Sequence, residues 1–359
     1  MTDDATLAAR RKRSARFIDI AQEAGVSQTT VNRVLNERGS VSPATRARVV
    51  AAAKRLGVPR LLPETRLGLT RFDLIVAGSD TPFFHSLNLA FQRSMQMLDR
   101  KVVIHRTFIP EEADDKRIAQ AILSPRQKRH GLIVGVHDSE QVREALRAVI
   151  KSGVPVVTLM SDIVDIPRMH YAGIDNYRAG RSAAYFLGRF AQRPGRILLI
   201  SNSLGYQAHF DRIRGFRDVI AESFPQLQVS GSIECHDEDD RCYAAVSQAL
   251  KKDSHLLGIY NSGAGSKGIV SALNKFGLAG KVMFAGHEIS NEHRHYIEQG
   301  IMDLVIDQDP DGQTICSLQH LLYSCGIIDT APSPEPNEFR LFFRENIRQK
   351  AYLAEPGRE

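Results

Sequence analysis

The 359-residue sequence contains no Trp and only four Cys, and 7% of its residues are aromatic. Without Trp, stacking of nucleic-acid bases falls to Phe and Tyr, and residues 1–66 hold one of these, Phe17. Recognition of single strands on aromatic platforms is therefore poorly supported. Four cysteines do not build a disulfide framework. Cys235, Cys242, Cys316 and Cys325 are also spaced too widely for a C-x2-C metal knuckle, so they are expected to be reduced, structural thiols, mostly in helices. No run approaches the roughly 18 apolar residues of a membrane span. The N-terminus, MTDDATLAARRKRSARF, has no apolar stretch of the kind a secretory signal needs. A cytoplasmic protein is expected, nucleoid-associated when bound to DNA.

Catalytic signatures are missing too. The sequence has no G-x-S-x-G elbow, no P-loop lysine motif and no deaminase signature. The segment HEISNEHRH (287–295) lacks the second histidine of H-E-x-x-H, because position 291 is Asn. These absences predict no enzyme, no cofactor and no metal.

What is present is an uneven charge. The chain carries 47 Lys+Arg against 41 Asp+Glu, a net +6. Residues 1–66 hold 13 basic and 6 acidic residues, whereas residues 67–359 hold 34 and 35. The basic excess belongs to a short front segment, whose natural partner is a polyanion.

That segment opens with a basic arm, residues 1–16, carrying Arg10, Arg11, Lys12, Arg13 and Arg16. It reads equally as a solvated tail or as an arm beside DNA phosphates. Three short helical patterns follow. The first is Phe17–Ala24, with Ile18, Ala21 and Phe17 as candidates for its inner face. Gly25 breaks it, and Ser27 caps a second helix, Gln28–Leu35, whose Val31, Val34 and Leu35 fall at helical spacing. Ser42 and Pro43 start a third, running to about Leu56 with Val49, Ala52, Ala53 and Leu56 inward. Two short helices around Ala24-Gly25-Val26-Ser27 are a helix-turn-helix signal. Gln28 and Arg33 have side chains able to serve adenine and guanine bidentately, while Ser27 and the helix N-terminus can hold phosphate.

The run IDIAQEAGVSQTTVNRVLNERGSVSPATRARVVAAAKRLG (18–57) resembles the DNA-binding head of the lactose-repressor (LacI) family. The resemblance implies base or groove contacts by Ser27, Gln28, Thr29 and Arg33, and a phosphate contact by Asn36. The sequence departs from the family at residues 58–71, an atypical hinge or linker. Family members often place a short N-x-x-A-x-x-L helix there, whose Leu wedges into the minor groove. Here Pro63 stands in the run VPRLLPETRLG (58–68), and Leu61, Leu62 and Leu67 are all candidate wedges.

From residue 72 the pattern alternates. Strand runs at 72–78, 101–106, 131–136, 154–160, 196–202, 228–234, 256–261, 281–286, 301–307 and 339–345 are separated by amphipathic helices. An α/β fold with parallel sheets is the expected solution. The first strand is followed by GSDTPF instead of G-x-G-x-x-G, which argues against a dinucleotide site. The series is also too long for one Rossmann unit. Two similar lobes with a cleft between them fit better, as in type I periplasmic binding proteins, the effector domain that the LacI resemblance implies. Residues 72–345 are expected to form it. Lobe one would be 72–174 plus 309–326, and lobe two 176–306 plus 328–345, with 346–359 as a tail.

Ligands in such sheets bind beyond the C-terminal strand ends. The side chains found there include Phe84, Asp175, Phe210, Asn261, Glu288 and Gln308, and they suit a polyhydroxylated molecule. Asp80 and Asp138 suit helix capping equally well, and Phe83 or Phe84 could be core. The segment DRIRGF (211–216) is similar to the family's R-x-x-G-F/W, which implies an effector-contacting role for Arg212. Asn261 matches the Asn of the family's N-D pair, with Ser262 replacing the Asp.

The reading is thus a sequence-specific DNA-binding regulator, most simply a repressor. Its operator affinity would respond to a sugar, polyol or sugar acid bound between the lobes. A pseudo-palindromic double-stranded operator and a homodimer or higher even homo-oligomer follow as expected partners. The alternatives are a cytoplasmic sugar-binding protein or a sugar-acting α/β enzyme.

Overall fold

A computed structural model describes residues 17–35, 41–56, 69–78, 80–99, 101–110, 113–252 and 256–348, with the side chains of Pro43 and Lys54 left aside. The basic arm 1–16, Asn36 and the hinge segment containing Pro63 lie outside the described residues. Two units are compact by their own contacts, residues 1–69 and residues 70–359.

The head consists of α1 (Phe17–Ala24), α2 (Gln28–Leu35) and α3 (Pro43–Arg55). α1 ends at Gly25, whose φ of 63° is left-handed and free of strain only for glycine. The Val26 amide donates back to the Ala21 carbonyl at 3.0 Å, closing the helix end. Ser27 Oγ accepts from the Thr30 amide at 3.1 Å and so starts α2. Ser42 does the same for Thr45 at 3.2 Å ahead of α3. Ile20, Ala21, Ala24, Val31, Val34, Leu35, Val49, Val50, Ala52 and Ala53 make a core of their own. The inner face of α1 is carried by Ile20 rather than by Phe17 or Ile18, which are exposed, and Leu56 is also exposed. Ile20 and Ala24 lie one turn apart, and that stripe, not the N-terminal pair, meets the other helices.

The body contains two sheets. The first has the order β2-β1-β3-β4-β5, from β1 (Thr70–Gly78), β2 (Val102–Pro110), β3 (Gly131–Gly135), β4 (Val156–Leu159) and β5 (His170–Ala172). All its pairings are parallel. Of the three interior strands, β3 and β4 are buried at every position. This is why their sequences read as continuous apolar runs rather than alternating ones. α4 (Pro82–Met97) and α12 (Pro310–Ser324) cover one face, and α5 (Asp115–Leu123) and α6 (Glu140–Lys151) the other.

The second sheet has the order β11-β10-β9-β8-β6-β7. Its strands are β6 (Gly195–Ser201), β7 (Leu227–Glu234), β8 (Leu256–Asn261), β9 (Met283–His287), β10 (Leu304–Asp307) and β11 (Arg340–Phe342). Only β11 runs antiparallel to its neighbour. α7 (Asn176–Phe190) and α8 (Gln207–Ser223) pack on one face. α9 (Asp239–Lys252), α10 (Ser266–Lys275) and α11 (Asn291–Glu298) pack on the other.

The chain passes from the first sheet to the second between β5 and α7. It returns between β10 and α12 and crosses again before β11. β5 escapes the sequence reading because three residues, His-Tyr-Ala, carry no period. β10 is shorter than its apolar run, since the Ile301 and Met302 amides turn back to the Tyr296 carbonyl. No helix among the described residues is long and apolar enough to cross a membrane.

Candidate functional site

Both sheets end on one cleft of about 1040 Å³, open solvent included. Its walls come from the loops after β1, β4, β6, β7, β8, β9 and β10, the C-terminal strand ends of both lobes.

The first lobe supplies an aromatic wall. Gly78 ends β1 where a Cβ would lie 2.1 Å from the Phe84 ring, so its missing side chain makes room for that ring. Phe83 meets Phe84 edge-on at 5.7 Å between centroids. Pro82 at the first helical position starts α4 and presents both rings from its first turn.

The second lobe supplies the polar wall, centred on Arg212, which is 3% exposed. Arg212 Nε donates to Asn176 Oδ1 and Nη1 to the Ser262 carbonyl, both at 2.7 Å. The placement depends on two glycines. At Gly180 a Cβ would lie 1.9 Å from the Arg212 carbonyl oxygen, and at Gly215 it would lie 2.1 Å from that of Tyr177. α7 and α8 therefore approach backbone to backbone, which brings Asn176 to the guanidinium.

Four buried polar side-chain atoms lining this cleft have no hydrogen-bond partner among the described residues: Asn202 Oδ1, Ser266 Oγ, His287 Nδ1 and Gln308 Oε1. Unpaired buried polar atoms are uncommon, and a group of them on one cavity is what a hydroxyl-rich ligand would satisfy. Gln308 Nε2 donates to Glu288 Oε1. Burial, reinforced by the neighbouring Asp307 carboxylate, pushes the Glu288 carboxyl up to about 8. At neutral pH it is a protonated acid, offering a donor as well as acceptors. Burial beside Arg212 holds His209 down at about 3 and His287 well below the usual range, so both rings are neutral. His209 Nδ1 lies 3.1 Å from Ser262 Oγ, and His287 Nε2 lies 2.9 Å from the Tyr260 hydroxyl.

Of the residues singled out from sequence, Phe84, Arg212, Glu288 and Gln308 come together on the cleft. Asp175, Phe210 and Asn261 are not among its lining residues. Asp175 caps α7 by accepting from the Arg178 amide at 2.9 Å, and its neighbour Asn176 is the one that holds Arg212. Phe210 stands two residues before Arg212, on the opposite side of α8, and is 47% exposed. Asn261 is buried beneath the loop after β8, donating to the Ala264 carbonyl at 2.7 Å and accepting from the Gly263 amide at 3.1 Å. It acts through that loop, whose Ser262 carbonyl receives Arg212.

Asn202, Asp237 and Ser266 line the cleft without having been singled out. Asn202 ends an apolar strand run, a usable signal. Asp237 follows β7 and sits at φ 59°, which no sequence pattern announces. It accepts from Asn202 Nδ2 and from the Ala264 amide, both at 2.7 Å.

In the head, Ser27, Gln28, Thr29 and Arg33 are all exposed, opposite the buried Val31–Val34–Leu35 stripe. Asn32 shares that outer face.

Residues 17–58 match the lacI family of bacterial regulatory proteins, and residues 72–319 match a periplasmic binding protein domain. The HTH-type transcriptional regulator GalR of Salmonella typhimurium is 25% identical over 284 residues, 75% of this chain and 78% of that protein. The sucrose operon repressor of Streptococcus mutans is 27% identical over 228 residues, 61% of this chain and 66% of that protein. Among solved structures, an ABC-transporter solute-binding protein from Burkholderia graminis, in complex with D-arabinose, superposes with a TM-score of 0.71. It is 20% identical and covers 78% of this chain and 98% of its own. The glucose-galactose binding protein GanP of Geobacillus stearothermophilus gives 0.68 at 19% identity, covering 78% and 99%. These two likenesses concern the fold.

Proposed function

The chain belongs to the lacI family of bacterial regulatory proteins, with a periplasmic binding protein domain as its body, and from this we propose a DNA-binding transcriptional regulator that responds to a sugar-like solute. One observation carries the reading. A helix with its own small core exposes Gln28, Thr29 and Arg33, in the same chain as a cleft where four buried polar atoms lack partners among the described residues. A transport receptor has no use for the first feature, and the relatives are regulators rather than enzymes.

In the head, Gln28, Thr29 and Arg33 read base edges, and Ser27 with the start of α2 holds phosphate. Asn36 adds a phosphate contact. In the body, Arg212 and Glu288 take ligand hydroxyls, Gln308 orients Glu288, and Phe84 covers an apolar sugar face. Asn176 and Asn261 position this set. The preference of the solute for one arrangement of the lobes changes operator affinity. We assign residues 17–57 to the head, 58–71 to the linker and 72–345 to the effector domain. A cytoplasmic homodimer on a pseudo-palindromic operator completes the reading.

The test is an electrophoretic mobility shift with DNA upstream of its own gene, with and without a panel of sugars, polyols and sugar acids. A discrete complex whose midpoint moves with one solute is expected. Absence of any sequence-preferring complex under every solute would overturn the proposal.

A further inference from the structure

A second cluster lies away from the cleft, against the first lobe's edge strand. His170 on β5 and Cys316 and His320 on α12 offer ligand atoms that all lie within 4.8 Å of one another. Cys316 and His320 are four residues apart and share one face of the helix. Both histidines are 8% exposed, and His170 Nε2 is buried without a hydrogen-bond partner among the described residues. His320 Nε2 stands 3.1 Å from the Ser333 carbonyl. A carbonyl at that place makes Nε2 the N–H nitrogen and leaves Nδ1 with its lone pair, as for metal-bound imidazoles oriented from behind.

We propose that His170, Cys316 and His320 form a binding site for a thiophilic divalent ion of the zinc class, with water in the fourth position. The donor set suits that class. Two neutral imidazoles and a thiolate are soft to borderline ligands, and zinc takes such sets tetrahedrally, with Zn–N about 2.0–2.1 Å and Zn–S about 2.3 Å. The thiolate forms as the ion binds, and the Cys316 proton leaves to solvent.

The two rings stack, centroids 3.7 Å apart and planes within 9°. Lone pairs in parallel planes do not converge on one ion. Binding therefore opens the stack into a V, with centroids about 5 Å apart for tetrahedral angles at those bond lengths. That opening happens beside the lobe crossings. Directly after β5, the Gly173 carbonyl accepts from the Asn337 amide at 2.9 Å, and the next residue, Ile174, bridges to Asn337. Ser333 belongs to the same returning segment. An ion there ties β5, α12 and the third crossing together, giving the lobes a second input separate from the cleft.

The test is titration of the metal-stripped full chain with Co2+. The expected result is visible d–d absorption of tetrahedral intensity together with a near-ultraviolet thiolate-to-cobalt band, saturating at one equivalent and abolished by Zn2+. Cys316→Ser should remove the thiolate band, and His320→Asn should weaken cobalt binding at least tenfold. Zn2+ at a hundredfold excess over Kd should raise the wild-type melting midpoint by roughly 5 °C and leave Cys316→Ser unmoved. Cys316 is only partly buried, so Cys316→Ser without metal should melt as wild type does. No tetrahedral spectrum from wild type, or a thiolate band that survives in folded Cys316→Ser, would overturn the proposal.

Discussion

Glu288→Gln should make the protein more stable at pH 7–8 while weakening its hold on the solute. An isolated Glu has a carboxyl near 4.5, and Glu288 in the folded cleft is pushed up to about 8. Below 4.5 both folded and unfolded chains carry the proton, and the group's stabilising share is fully present. As pH rises from 4.5 toward 8 the unfolded chain releases the proton and the folded chain keeps it, so stability falls by about 1.4 kcal/mol per pH unit. Above 8 both forms are ionised and the loss levels off. At pH 7 it amounts to about 3 kcal/mol, which water entering the open cleft reduces to about 2–3 kcal/mol.

Gln keeps the oxygen that accepts from Gln308 Nε2, and it has no proton to lose. The assay is urea unfolding of wild type and Glu288→Gln, followed by circular dichroism at pH 5 and pH 8. Wild type should lose about 3 kcal/mol more than the variant between these two pH values. Equal pH slopes for the two proteins, or a variant less stable than wild type at pH 8, would refute the reasoning and place an ionised Glu288 in the cleft.

Other substitutions test separate parts. Arg212→Lys keeps a charge but not the fork that reaches Asn176 and Ser262, and it should weaken solute binding at least tenfold, about 1.4 kcal/mol or more, in calorimetry. Gly215→Ala drives a methyl toward the Tyr177 carbonyl, where the built Cβ lies 2.1 Å away. It should cost about 1–3 kcal/mol in denaturant melts by prising α8 from α7. Gln28→Ala should weaken operator binding by about 1–3 kcal/mol and relax preference at one base pair in competition shifts. Equal loss on random DNA would show that Gln28 reads no base.

Much of the architecture is legible in the residue order because local periodicity carries it. The three head helices start and stop at Ser27, Ser42 and Gly25, residues whose side chains or backbone freedom act within a few positions. The body's β/α alternation is legible for the same reason. β5 is not, because three residues hold no period and pair only when β4 is already in place. In the cleft, Glu288 and Gln308 follow from standing near strand ends, and Arg212 from the resemblance of DRIRGF to the family's R-x-x-G-F/W. Asn176 and Asp237 do not follow in this way. Asn176 meets Arg212 across two helices whose spacing is set by Gly180 and Gly215, and Asp237 meets Asn202 through the pairing of β6 with β7.

Charge partition, the absence of Trp and of catalytic signatures, and the helix-turn-helix punctuation are properties of the chain as a string. They suffice to separate a DNA-reading head from a solute-holding body. Protonation of Glu288, the four unpaired atoms of the cleft and the meeting of His170 with Cys316 and His320 are properties of the folded chain alone. Each depends on desolvation or on distance between residues far apart in sequence, and neither quantity exists until the two sheets and their crossings have formed.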